Sequence, residues 1–256
     1  MLADDTAGTI QAAVQLHAQA QRPNLFIKIP STRAGITAIE ETIFAGVPVN
    51  VTLLFSREHY IAAAEAYMRG IERRIAAGLN PAVGSVASLF VSRWDVAIKD
   101  KVPRDFRNRL GITIAKRTYK AYRELLTTPR WQKLADAGAR PQRLLWTSTG
   151  TKDPAASDTL YIQALAAPDT INTIPEKTLL AFAEHGEVKN ALPDDDGDAE
   201  ALLAEFARAG VDDTALADQL QREGAQSFAK SWRDLMDCIA SINAVLTQNH
   251  PNGIKP

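Results

Sequence analysis

Lys28 sits in the stretch LFIKIPSTRAG, residues 25–35, an ammonium group in a segment that otherwise reads as a buried β-strand. Side chains alternate along a strand, so Leu25, Ile27 and Ile29 share one face while Phe26, Lys28 and Pro30 share the other. In VPVNVTLLF (47–55), Val47, Val49, Val51 and Leu53 point one way and Asn50, Thr52 and Leu54 the other. GSVASLFVS (84–92) adds Ser88 and Phe90 on one parity, with Arg93 just beyond. If the uniformly apolar faces meet helices, Lys28, Asn50 and Thr52 point into one shared interior. A lysine held there has its charged form disfavoured by desolvation and by Arg93. The free amine that results can attack a carbonyl and form a Schiff base. Strand pattern alone leaves this reading open beside another, in which a lysine at a strand end carries its head out to solvent.

A second candidate is TSTGTKDP, residues 147–154, where hydroxyls, a glycine turn and Lys152 could cradle a phosphate. It lacks the glycine spacing of a Walker A loop, and an ordinary polar strand-to-helix turn reads equally well. His17, His59, His185 and His250 show no metal-ligand spacing, so surface or capping roles are expected for each. Cys238 lies in a helical apolar pattern and is expected in the core. The acidic run PDDDGDAE (193–200) reads as a solvated loop leading into a helix, and Lys116, Arg117, Lys120 and Arg123 as a solvated helix face.

The elements that must position these residues alternate. Helices are expected over 4–21, from TRAG to Gly46, from Ser56 to Gly78, and over 111–126; strands at 24–29, 47–55, 84–92, 143–149 and 170–174; and mostly helix thereafter. Strand–helix alternation with short connections means a parallel α/β sheet. No G-x-G-x-x-G follows a strand, which argues against a dinucleotide-binding fold. Polar residues near the C-terminal ends of strands suit a (β/α) barrel, although a closed barrel of that type has about eight strands and the pattern yields five.

Composition narrows the function class. The chain has 256 residues, 46% apolar and 23% charged, with a formal net charge of −1; nothing in that balance calls for nucleic acid or an acidic membrane. One cysteine cannot form an internal disulfide, the longest apolar runs are too short to span a bilayer, and MLADDTAGT has neither the basic nor the apolar region of a secretory signal. A cytoplasmic location is expected.

Four motifs in order, NLFIKIPSTRAGITAIEETIFAGVPVNVTLLFS, SVASLFVSRWD, QRLLWTSTGTKDP and TINTIPEKTL, together with the late EGAQSFAKSW, resemble the transaldolases, particularly the longer bacterial subgroup. The resemblance runs from about residue 4 to about residue 240. It implies a TIM-barrel domain of the class I aldolase kind, here a single domain over 1–256 with about five of the eight βα units and extra C-terminal helices. It implies that Lys28 is the Schiff-base lysine, that Asn50 and Thr52 hold the substrate and a catalytic water, and that Ser88, Phe90, Arg93 and Ser148 contact a sugar phosphate, with Lys152 standing where the family has an arginine. The implied reaction moves a dihydroxyacetone unit from fructose 6-phosphate or sedoheptulose 7-phosphate to an acceptor such as erythrose 4-phosphate or glyceraldehyde 3-phosphate, with neither metal nor organic cofactor. In the family, three strands precede the lysine strand and carry an aspartate, an asparagine and a glutamate. MLADDTAGTI resembles the segment that follows them, so the chain corresponds to the C-terminal two thirds, and the missing acid–base groups imply impaired turnover. An inactive sugar-phosphate-binding or structural remnant is the alternative, and open sheet edges imply a capacity for self-association.

Overall fold

A computed structural model describes residues 2–249. Its centre is one sheet of β1 (Ile27–Pro30), β2 (Val49–Leu54), β3 (Ser85–Phe90), β4 (Arg143–Thr147) and β5 (Ile171–Asn172), in the order β1-β2-β3-β4-β5. Every pairing is parallel. All five expected strands are present, β1 shifted from 24–29 to 27–30 and the other four trimmed, and both sheet edges are unpaired among the described residues.

The helices start where local chemistry dictates. Asp5 caps α1 (Thr6–Ala20), Thr32 caps α2 (Arg33–Phe44) and Ser56 caps α3 (Arg57–Ala76), each side chain accepting a backbone N–H of the first turn. Gly46 and Gly78 follow α2 and α3 with φ of 86° and 68°, the left-handed conformation that ends a helix. Between β3 and β4 lie α4 (Ser92–Ile98), α5 (Leu110–Thr127) and α6 (Pro129–Asp136); α7 (Leu160–Ala164) connects β4 to β5. After the sheet come α8 (Glu176–His185), α9 (Ala199–Arg208) and the long α10 (Asp213–Asn249).

Two apolar cores follow from the sheet's two faces. Ile29, Val49, Val51, Leu54, Leu89 and Trp146 face the layer of α1, α2, α3, α5 and α6. Leu53, Phe55 and Phe90 join Trp94, Ile114, Phe206 and Leu216 in a second cluster near the C-terminal strand ends. Here strict alternation fails. Leu53 was expected beside Val49 and Val51, yet Leu54 takes that face and Leu53 turns to the other. The cause is a bulge: Leu53 has a φ of 60°, and the β2–β3 register shifts between Val51 and Leu54. One residue in the left-handed region flips every side chain that follows it.

Other expectations need correction. Cys238 is exposed, because α10 runs past the sheet and its residues from 230 to 243 are open to solvent. Phe228, Trp232, Leu235, Ile239 and Ile242 form an exposed apolar stripe there. The basic face of α5 and the acidic loop before α9 are partners rather than separate solvated runs. Lys116 pairs with Asp198 at 2.9 Å, Lys120 with Asp196 at 3.2 Å and Arg123 with Asp194 at 3.1 Å, while Arg117 holds Asp213 at the start of α10.

Asp95 is a buried carboxylate the sequence did not flag. It accepts from Leu110 N at 3.0 Å, from Gly111 N at 3.3 Å and from Tyr161 Oη at 2.8 Å, anchoring the start of α5. Burial outweighs these bonds and pushes its carboxyl up to about 6. The native state thus keeps a proton that the unfolded chain, with a carboxyl near 3.9, releases on passing from about pH 4 to 6. Stability falls through that window, by about 2–3 kcal/mol from this group. Asp95→Asn retains an acceptor for the α5 amides and removes the titration. The wild type should therefore lose stability relative to the variant between pH 4 and 6 in urea melts; a constant difference across that range would refute the assignment.

Candidate active site

The site grows from the inner sheet face. Parallel pairing sets Lys28 beside Asn50 and Pro30 beside Thr52. Ser88 on β3 donates to Asn50 Oδ1 at 2.7 Å, which fixes the amide so that its NH2 group is free to face the lysine's side. Thr52 is 3% exposed and its hydroxyl has no partner among the described residues. A buried hydroxyl left without a partner costs on the order of 1–3 kcal/mol, a cost that a ligand or water oxygen would offset. Lys28, Asn50, Thr52 and Ser88 therefore meet on one face, as strand alternation predicted.

Lys28 and Thr52 line a groove of about 770 Å³ between α1, the outer edge of β1 and α10. The Lys28 side chain is accessible to solvent, yet the walls remove enough water that desolvation, followed by repulsion from Arg93, lowers its pKa. Phe228 of α10 places its ring 5.6 Å from Nζ. A pKa lowered in this way leaves more of the amine unprotonated, the form in which it can act as a nucleophile.

Arg93, at the start of α4, is the site's second cation. Its guanidinium lies 4.7 Å from the centroid of Phe90, which in turn stacks on Phe55 at 5.1 Å. Phe90 is 5% exposed, so it serves as a platform for the arginine rather than as a free aromatic wall. No carboxylate pairs with Arg93 among the described residues, and partial burial lowers its pKa. A half-buried guanidinium without an anion is suited to accept one. Ser148 ends β4 with a φ of 57° and shares a hydrogen bond of 2.9 Å with Ser92, the neighbour of Arg93. Ser148 thus joins the Arg93 side of the site. Lys152 does not: it is exposed in the loop after β4, where its Nζ turns back toward Gly150.

Sequence reasoning missed the residues that lock this arrangement. Ser31, just after β1, donates from its hydroxyl to Leu53 O at 3.1 Å, and its own N–H bonds Thr52 O at 2.8 Å. Gln221 of α10 donates to Leu53 O at 3.0 Å and to Ser31 Oγ at 3.0 Å. Gly224, one turn on, approaches so closely that a Cβ there would lie 2.7 Å from Leu53 Cδ2 and 3.3 Å from Arg93 Nη1. The available signal was the polar and small pair Gln221 and Gly224 on the face that α10 buries. The histidines behave as expected where described: His59 accepts from Phe55 N at 3.3 Å and pairs with Asp218, and His185 pairs with Asp158. His250 lies outside the described residues. No group of three or more His, Cys, Asp or Glu is placed to hold a metal, and no helix is long and apolar enough to cross a membrane, among the described residues.

The sequence matches the family described as Transaldolase/Fructose-6-phosphate aldolase over residues 1–239. The chain belongs to that family. It is 44% identical over 247 residues to the transaldolase of Parafrankia sp. (strain EAN1pec), covering 93% of this chain and 67% of that protein. Its identity to the transaldolase of Neisseria gonorrhoeae is 42% over 236 residues, covering 92% and 67%. Against transaldolase 1 of Streptomyces avermitilis it is 43% over 249 residues, covering 94% and 66%. The chain thus spans about two thirds of the length of these relatives. Family membership places its parallel sheet and surrounding helices in a TIM-barrel type of fold, whose functional groups sit at the C-terminal strand ends. Thr52, Phe90 and Arg93 lie at or near those ends, while Lys28 and Asn50 are each the second residue of their strands.

Proposed function

We propose that the chain is a transaldolase-type transferase in which Lys28 carries a dihydroxyacetone unit between sugar phosphates. The observation that carries the reading is the Lys28 amine, held neutral-prone in a groove beside the unpartnered hydroxyl of Thr52. The amine attacks the C2 carbonyl of fructose 6-phosphate or sedoheptulose 7-phosphate, and loss of water gives an iminium. The iminium draws the electron pair of the C3–C4 bond as the C4 hydroxyl gives up its proton, releasing an aldose phosphate. The enamine left on Lys28 then adds to the aldehyde of erythrose 4-phosphate or glyceraldehyde 3-phosphate, and water hydrolyses the product from the lysine. The lysine is its own electron sink, so the cycle calls for no organic cofactor. Asn50, oriented by Ser88, hydrogen-bonds the bound ketose; Thr52 positions substrate or water; Arg93 and Ser148 receive the phosphate. A role for Lys152 in phosphate binding requires its loop to fold over the ligand.

One observation favours a second reading. Neither Asp nor Glu lines the groove among the described residues, so a carboxylate to move the C4 hydroxyl proton is absent from its walls. Such a role is typically worth about 10²–10⁴-fold in rate. The second reading is a sugar-phosphate-binding chain that forms the imine and turns over slowly or not at all. Borohydride added with saturating fructose 6-phosphate should leave a reduced ketose adduct on the peptide containing Lys28. Transfer to erythrose 4-phosphate in a parallel assay decides between the two. Adduct with transfer supports the enzyme, adduct without transfer supports the binding chain, and absence of adduct rejects both.

A further inference from the structure

The exposed amine and its cover belong to different ends of the chain. Lys28 lies on the edge strand β1, and the ring above it, Phe228, lies on α10. Phe228 is itself 42% exposed, so packing alone does not hold the ring in place. Leu216, Ala217 and Leu220 pack the first turns of α10 into the second apolar cluster, and a polar contact two helical turns before the ring ties the helix to the strand ends. The Gln221 amide nitrogen has Ser31 O at 3.3 Å, Ser31 Oγ at 3.0 Å and Leu53 O at 3.0 Å within reach, with His59 Nδ1 at 3.5 Å. A cluster of acceptors around one nitrogen assigns the NH2 group to that side.

These contacts fall at a strained point. Leu53 holds a non-glycine residue at positive φ, which costs on the order of 1–2 kcal/mol. Its carbonyl is where the Gln221 amide and the Ser31 hydroxyl both donate. The same glutamine therefore grips the residue after Pro30 on β1 and the bulge that turns Leu53 inward beside Thr52. Gly224 lets the helix settle onto the bulge, and residue 228, at i+7 from 221, falls on the same helix face. Gln221, Gly224 and Phe228 form one stripe with three tasks: grip, close approach and cover.

We propose that Gln221 is a positioning residue that clasps α10 onto the ends of β1 and β2, and so holds the Phe228 ring as a cover over the Lys28 amine. The inference rests on the reading of Lys28 as the reactive group, and it concerns the amine's surroundings rather than any turnover. Arg233 of α10 lines the groove, and Arg93 of α4 acts on Lys28 through its charge. The ring lies near the outer limit of about 6 Å for cation–π attraction, so its main effect on Lys28 is exclusion of water.

Competitive acetylation with acetic anhydride, read by peptide mass spectrometry across pH, reports both the pKa and the limiting reactivity of Lys28 without any sugar. It therefore remains informative even if the chain fails to transfer dihydroxyacetone. Phe228→Ala leaves the clasp intact and should move the Lys28 midpoint upward by roughly half to one pH unit, with faster limiting acetylation. Gln221→Leu should do the same and also speed backbone hydrogen exchange in 221–235 at least tenfold, which Phe228→Ala should not. If the leucine variant does not fold, Gln221→Met carries the same expectation, because it keeps the length, adds no charge and has no hydrogen to donate. An unchanged Lys28 profile in Phe228→Ala, or in a folded Gln221 variant, overturns the proposal.

Discussion

Lys28→Met should abolish borohydride trapping and lower dihydroxyacetone transfer to the background of the uncatalysed reaction. Methionine keeps the length and flexibility of the side chain and lies comfortably against the apolar groove, so the fold should survive and the loss should belong to the nucleophile. Lys28→Arg sharpens the point. Arginine keeps the positive charge but is never deprotonated at working pH, so a site that only needed a cation would retain ligand binding while a site that needs an amine would lose all adduct. The pH dependence follows from the direction of the shift. Desolvation and Arg93 lower the lysine's pKa, so the free amine fraction, and with it the rate of imine formation, should rise with pH and level off below about 10.4, the value of an ordinary lysine. Trapping that persists in Lys28→Met at the wild-type level would place the chemistry elsewhere, with Lys152 the first lysine to check. A wild-type profile that levels off only above 10.4 would contradict the desolvated site.

Arg93→Met should raise the concentration of fructose 6-phosphate needed for half-maximal trapping by about 10²-fold. Charge-assisted hydrogen bonds contribute about 1.5–3 kcal/mol each, and a guanidinium can offer two to one phosphate. Unphosphorylated dihydroxyacetone supplies the control, since it presents the same carbonyl without the anion. Its trapping should fall by no more than a few fold, because removing Arg93 lets the Lys28 pKa rise only modestly and leaves slightly less free amine. Equal losses for both carbonyl compounds would mean that Arg93 shapes the site rather than reading phosphate. The platform beneath it matters as well: Phe90, stacked on Phe55, is the ring on which the guanidinium rests.

Much of this site could be read in advance, for a physical reason. Strand periodicity is local, so the parity that groups Lys28, Asn50 and Ser88 survives folding, and parallel pairing of neighbouring strands then brings them together. The parity breaks at Leu53, where one positive φ in an apolar run reverses the faces of Leu53 and Leu54. No residue type marks it, since leucine is a poor choice for that conformation and only the tertiary bonds from Ser31 and Gln221 hold it there. The expectation for Cys238 failed for the converse reason. Its helical pattern is apolar, but periodicity reports a face suited to burial and not what is there to bury it. Lys116, Lys120, Arg123 and the acidic run were each legible as charged segments, while their mutual pairing depended on how α9 returns to α5.

The clasp also orders events in time. Each strand pairs only with its neighbours in sequence, so the sheet can form progressively as the chain lengthens, with modest loops to close at each step. Gln221 and Ser31 are 190 residues apart, whereas Ile27 and its partner Val49 are separated by one short crossover. Closing the longer loop costs about 2 kcal/mol more in chain entropy by the usual logarithmic scaling, and contacts of such high separation form late. The strands that present the amine are thus assembled well before α10 can shield it. On that ordering, the Lys28 amine stays open to solvent until α10 docks.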